Sequence, residues 1–111
     1  MEYTDGSHYD GNFLDGLKRG LGKMLYSDKS VYEGGWVKGK KEGKGIYTEP
    51  NRIKYDGEWV GGKKHGYGSV IYADKSTYKG YFVNDEKEGE GTYTTKEGKK
   101  YAGKWTGGKI Q

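Results

Sequence analysis

The sequence predicts an all-β chain, an elongated single-layer antiparallel sheet of consecutive β-hairpins. Three observations predict it. The 111 residues include 22 Gly, 12 Tyr, 3 Trp and 2 Phe but only two Ala, Ala73 and Ala102, and glycine costs about 1 kcal/mol at each helical position, which disfavours long helices. Leu, Ile, Val and Phe together number 15, too few for an aliphatic core, so any interior has to be aromatic. A fixed period of 23 residues runs the length of the chain, and such a period outranks local propensity as a guide to architecture.

The period is carried by tyrosine, glycine and tryptophan. Tyr9, Tyr32, Tyr55, Tyr78 and Tyr101 stand 23 apart. Two positions after each come Gly11, Gly34, Gly57, Gly80 and Gly103, and four positions after come Phe13, Trp36, Trp59, Phe82 and Trp105. Gly16, Gly39, Gly62 and Gly108 follow at offset seven, with Asp85 the exception, and the pairs Gly20/Gly22, Gly43/Gly45, Gly66/Gly68 and Gly89/Gly91 at offsets eleven and thirteen. The chain divides into a partial leading unit (1–8), four full units (9–31, 32–54, 55–77 and 78–100) and a half unit (101–111), one array over 1–111.

Each element follows from the spacing. In the leading segment Tyr3 takes the place that Tyr26 and Tyr72 hold later, with Asp5-Gly6 as its turn. In every full unit Tyr, Gly and Trp/Phe at offsets zero, two and four share one parity, so a strand turns them to one face. A basic stretch such as Lys40-Lys41-Glu42, closed by Gly43, reads as the first turn. The runs Met24-Leu25-Tyr26, Tyr47-Thr48-Glu49, Val70-Ile71-Tyr72 and Tyr93-Thr94-Thr95 read as the second strand, and Asp28-Lys29-Ser30 exemplifies the second turn. Glycines beside large rings leave room for an aromatic side chain to lie flat across the neighbouring strand. One unit cannot cover its own rings, so its neighbours supply the other wall. At about 4.8 Å per strand each unit advances the sheet by roughly 10 Å. The two ends present strand edges open to another chain.

The pattern Tyr-x-Gly-x-(Trp/Phe)-x-x-Gly-x-x-x-Gly-x-Gly resembles the MORN repeat (membrane occupation and recognition nexus) over the whole chain, and YEGGWVKGKKEGKGIYTEPNR is a near-consensus copy. Asp85 for Gly, and Asp28-Lys29, Asn51-Arg52 and Asp74-Lys75 in the second turn, depart from the family pattern. The resemblance implies a scaffold that presents a groove to a helical segment of another protein, self-associates or sits near membranes, within a cytoskeletal, axonemal or membrane-associated assembly.

The residues exclude several chemistries. Without cysteine there are no disulfides, thiolate metal sites or thiol nucleophiles. His8 and His65 occupy non-equivalent positions and fit no metal-ligand spacing. The glycine loops lack the Gly-Lys-Ser/Thr ending of phosphate loops. No enzyme, cofactor or metal site is expected. Met1-Glu2-Tyr3-Thr4-Asp5 is neither basic nor hydrophobic, and no apolar run exceeds Val70-Ile71-Tyr72-Ala73, which points to a cytoplasmic setting.

Two sets of candidate binding residues remain. A single-layer sheet cannot cover both faces, so Tyr32, Trp36, Val37, Tyr55, Trp59, Val60, Tyr81 and Val83 are candidates for a protein partner. The second set is cationic. Residues 38–64 hold eight Lys or Arg against four carboxylates, an excess equal to the whole net charge of +4. Lysine recurs at offset nine as Lys18, Lys41, Lys64 and Lys87, predicting a ladder along one edge which, with Lys40 and Lys63, would meet anionic lipid headgroups such as phosphoinositides. Nucleic acid is disfavoured, because packing at fixed offsets accounts for the aromatics and the charge is modest.

Overall fold

The computed structural model describes residues 2–110, so the ends of the leading and final units at Met1 and Gln111 lie outside it. The described chain forms one ten-stranded antiparallel sheet in strict sequence order. Its strands are β1 (His8–Leu14), β2 (Leu17–Leu25), β3 (Val31–Val37), β4 (Lys40–Thr48), β5 (Lys54–Val60), β6 (Lys63–Ile71), β7 (Thr77–Val83), β8 (Glu86–Thr94), β9 (Lys100–Thr106) and β10 (Lys109–Ile110). The strip measures 45 × 24 × 18 Å, its long axis crossing the strands.

The first turn of each unit lies elsewhere than the basic stretches suggest. Lys40-Lys41-Glu42 belongs to β4, and the turn is the pair before it. Asp15-Gly16, Lys38-Gly39, Gly61-Gly62, Asn84-Asp85 and Gly107-Gly108 each place both residues at positive φ, the type I′ geometry whose twist suits a tight hairpin. Gly43, read as closing that turn, instead sits at φ 77 inside β4, where the register between β3 and β4 slips. The second strand of each full unit therefore runs nine residues and contains the Gly-x-Gly pair. Asp85 keeps the turn at φ 74, and its carboxylate accepts the Lys64 N–H at 2.8 Å.

The second turn joins one unit to the next. Tyr26 N–H donates to Ser30 O and Lys29 N–H to Tyr26 O. The Asp28 carboxylate accepts both the N–H and the hydroxyl of Ser30, and these bonds hold it below the ordinary carboxylate range. Asp74 and Ser76 repeat the arrangement, and so do Asp5 and Ser7 in the leading segment. Lys29, Arg52 and Lys75 occupy the positive-φ position that Gly6 and Gly98 fill in the sister turns.

The core is one face of this strip. Gly11, Gly22, Gly34, Gly45, Gly57, Gly68, Gly80, Gly91 and Gly103 pair in succession, so a row of glycines crosses the sheet from β1 to β9. The Tyr9, Tyr32, Tyr55 and Tyr78 rings lie on this row, each almost fully buried. A Cβ on Gly45 would stand 2.4 Å from Tyr32 Cζ, so the row has to be glycine wherever a tyrosine ring lies on it. Each hydroxyl donates to a backbone carbonyl three residues on, as Tyr32 does to Gly35 O at 2.9 Å. The rings do not stack in parallel; each tyrosine meets two Phe or Trp rings edge to face, with Tyr32 5.0 Å from Trp36 and 5.4 Å from Trp59 of the next unit.

Joints between units are equally regular. Trp36, Trp59 and Trp105 donate their indole N–H to Gly22 O, Gly45 O and Gly91 O of the unit before. Gly39, Gly62, Asp85 and Gly108 N–H reach back to the carbonyls of Lys18, Lys41, Lys64 and Lys87.

Candidate interaction surface

Strand parity divides the predicted partner-binding residues between two faces. Tyr32, Trp36, Tyr55 and Trp59 form the core of the aromatic face, each 4 % exposed or less. Val37, Val60, Tyr81 and Val83 stand on the opposite face, each 42–51 % exposed. The eight do not line one groove, because Trp36 and Val37, adjacent in one strand, must point opposite ways.

The lysines divide as well. Lys18, Lys41, Lys64 and Lys87 pair across their hairpins with Phe13, Trp36, Trp59 and Phe82, on the aromatic face rather than along an edge. The ammonium of Lys41 stands 5.2–5.6 Å from the ring centroids of Tyr26, Tyr32, Tyr47 and Trp59, a range in which a cation is attracted to the ring faces. Burial there draws its pKa below the ordinary lysine value. Lys18 and Lys87 each cover three rings, and Lys64 covers Tyr55. Lys40 and Lys63 pair with Val37 and Val60 and lie on the opposite face. The ladder is thus a lid on the tyrosine row, with methylene stems covering rings that a single layer leaves open.

Beside this lid the aromatic face presents a second row. Tyr3, Tyr26, Tyr47, Ile53, Tyr72 and Tyr93 pack against the core while staying partly exposed. Tyr26 and Tyr47 meet at 6.2 Å between centroids, as do Tyr72 and Tyr93. A hollow of about 320 Å³ opens among Tyr47, Ile53, Tyr72, Lys64 and Lys87. Burial pushes the Tyr26 hydroxyl up to about 12, and the tyrosines of the row present both an apolar flank and a hydrogen-bonding tip. These residues are not among the binding candidates the sequence singles out, although offsets fifteen and seventeen share the parity of the glycine at offset thirteen.

The MORN repeat family model matches the chain four times, at residues 9–31, 32–52, 55–77 and 78–100. No individual characterised protein matches it at a significant level.

Proposed function

The chain belongs to the MORN repeat family, whose repeats serve protein–protein and membrane interactions, and on that premise we propose that it is a non-enzymatic scaffold holding a segment of a partner protein along its aromatic face, as a subunit of a larger cytoskeletal or membrane-associated assembly. One observation carries the reading: the partly exposed row of Tyr26, Tyr47, Ile53, Tyr72 and Tyr93 packed against the buried aromatic core. Rings already held by packing lose little entropy on binding and offer apolar area with polar tips, the composition of interface anchors. Tyr32, Trp36, Tyr55 and Trp59 support this row from beneath. Trp59→Ala is expected to destabilise the chain before it weakens any contact, so it is a poor probe of binding.

The alternative is a peripheral membrane module that grips anionic headgroups through Lys18, Lys40, Lys41, Lys63, Lys64 and Lys87. The division of those lysines between two faces, four of them over rings, favours the protein partner. The test is photo-crosslinking in source cells from an analogue placed at Tyr47 and at Tyr72. Cross-links from both positions to one stretch of one protein support the scaffold. Cross-links to lipid, or undiminished capture by a folded Tyr47→Ser/Tyr72→Ser variant, would overturn it.

A further inference from the structure

The face opposite the tyrosines is mixed in most units, but in the first it turns aliphatic. Leu17 stands where the later units have Lys40, Lys63, Glu86 and Lys109, and Leu21 where they have Lys44, Tyr67 and Glu90. Across the register from Leu21 lies Gly35, although the same position in later units carries the side chains of Glu58, Tyr81 and Lys104. Leu21 is 76 % exposed, the most exposed of the large apolar residues among those described, and stands beside a position without a side chain. Leu14 and Leu17 face each other across the first hairpin. With Val37 they line a hollow of about 290 Å³ whose remaining walls are Lys18, Arg19 and Lys38 against the single carboxylate of Asp15.

None of these leucines contributes to the aromatic core, so the array's own packing does not call for them, and leucine at exposed strand positions costs solubility. We infer that this hollow is a second docking site, which takes a bulky apolar side chain of a protein segment carrying Asp or Glu beside it. The hollow has the size to seat one side chain, and with the Lys18 ammonium turned over the rings of the other face, Arg19 and Lys38 form a cationic rim that complements flanking carboxylates. A membrane fits less well. On the same face Lys23 pairs with Asp10 on one side and Glu33 on the other, a row in which carboxylates outnumber cations. A partner here leaves the tyrosine row free, so the array would join two proteins back to back.

The experiment pans a display library of randomised peptides on the intact chain and on a Leu17→Lys/Leu21→Lys variant. That variant installs the residues the second unit carries as Lys40 and Lys44, so it should retain the circular dichroism spectrum and urea midpoint of the parent. The expected result is a family of peptides sharing one large apolar residue flanked by Asp or Glu, losing affinity about tenfold or more on the variant and weakening with added salt. Failure to enrich any peptide would overturn the inference, as would peptides that bind parent and variant equally. Peptides lost only on Tyr47→Ser/Tyr72→Ser would overturn it while supporting the aromatic-face reading. Parent chains that self-associate in sedimentation, or bind phosphatidylserine vesicles, and cease to on the variant would assign the hollow to a second copy or to a membrane instead.

Discussion

Gly45→Ala tests the idea that the glycine row exists to seat tyrosine rings. The new Cβ would fall 2.2 Å from Tyr32 Oη, 2.4 Å from Cζ and 2.5 Å from Cε1, all well inside van der Waals contact. Tyr32 cannot slide aside, because it is 0 % exposed, bonded to Gly35 O and wedged between Trp36 and Trp59. Expelling the ring exposes roughly 150 Å² or more at about 25 cal/mol per Å², close to 4 kcal/mol, and forfeits a hydrogen bond of about 1 kcal/mol. That is a large part of the roughly 5–15 kcal/mol a domain possesses. Gly103 is the internal control. It belongs to the same row, at offset two rather than thirteen, but a Cβ there meets only Ile110 side-chain carbons at 3.5 and 3.6 Å, and Gly103→Ala should change stability by less than about 0.5 kcal/mol. The assay is urea unfolding of both variants, with Tyr32→Ala and Tyr32→Ala/Gly45→Ala completing a cycle in which the second substitution costs almost nothing once the ring is gone. Equal costs for Gly45→Ala and Gly103→Ala, or additivity in the cycle, would refute the steric reasoning.

Burial raises the pKa of Tyr9, Tyr26, Tyr32, Tyr55 and Tyr78, so the neutral ring is favoured in the fold; that stability is fully present below the ordinary value of 10.0 and is lost as pH rises through the raised values, near 12 for Tyr26, and the urea midpoint should fall steadily across that window. Lys41, whose pKa burial lowers, acts in the opposite sense as it neutralises, but it is one group against five. Lys29→Gly and Arg52→Gly relieve side chains held at φ 75 and φ 73 and should each stabilise by about 0.5–1 kcal/mol, read as a higher thermal midpoint with unchanged circular dichroism.

Much of this fold is legible in the sequence, because tyrosine, glycine and tryptophan at offsets zero, two and four need only strand alternation to share a face. The turns are less so. Lys40-Lys41-Glu42 has the composition of a loop, and nothing in one dimension tells a glycine that closes a turn from one, like Gly43, that bulges within a strand. The lysines at offset nine look like solvated edge charges until the next unit's tryptophan is brought over them, a contact between residues such as Lys41 and Trp59 that no local pattern reveals. Parity is sufficient to separate Trp36 from Val37 and to add Tyr47 and Tyr72. The leucines of the first unit stand out only once Leu17 and Leu21 are set against their lattice equivalents.

The joints between units repeat: a turn N–H bonds a lysine carbonyl at all four, and an indole N–H bonds a glycine carbonyl at the three where tryptophan rather than Phe82 stands. Such an array is a ruler. Adding or removing 23 residues in its middle would keep the backbone joint of turn N–H to lysine carbonyl, yet it would move everything beyond the cut by roughly 10 Å. Anchors on a partner that grips several tyrosines at once must therefore match that pitch, and the number of units between the first-unit leucines and the last tyrosine pair fixes how far apart two attached proteins are held.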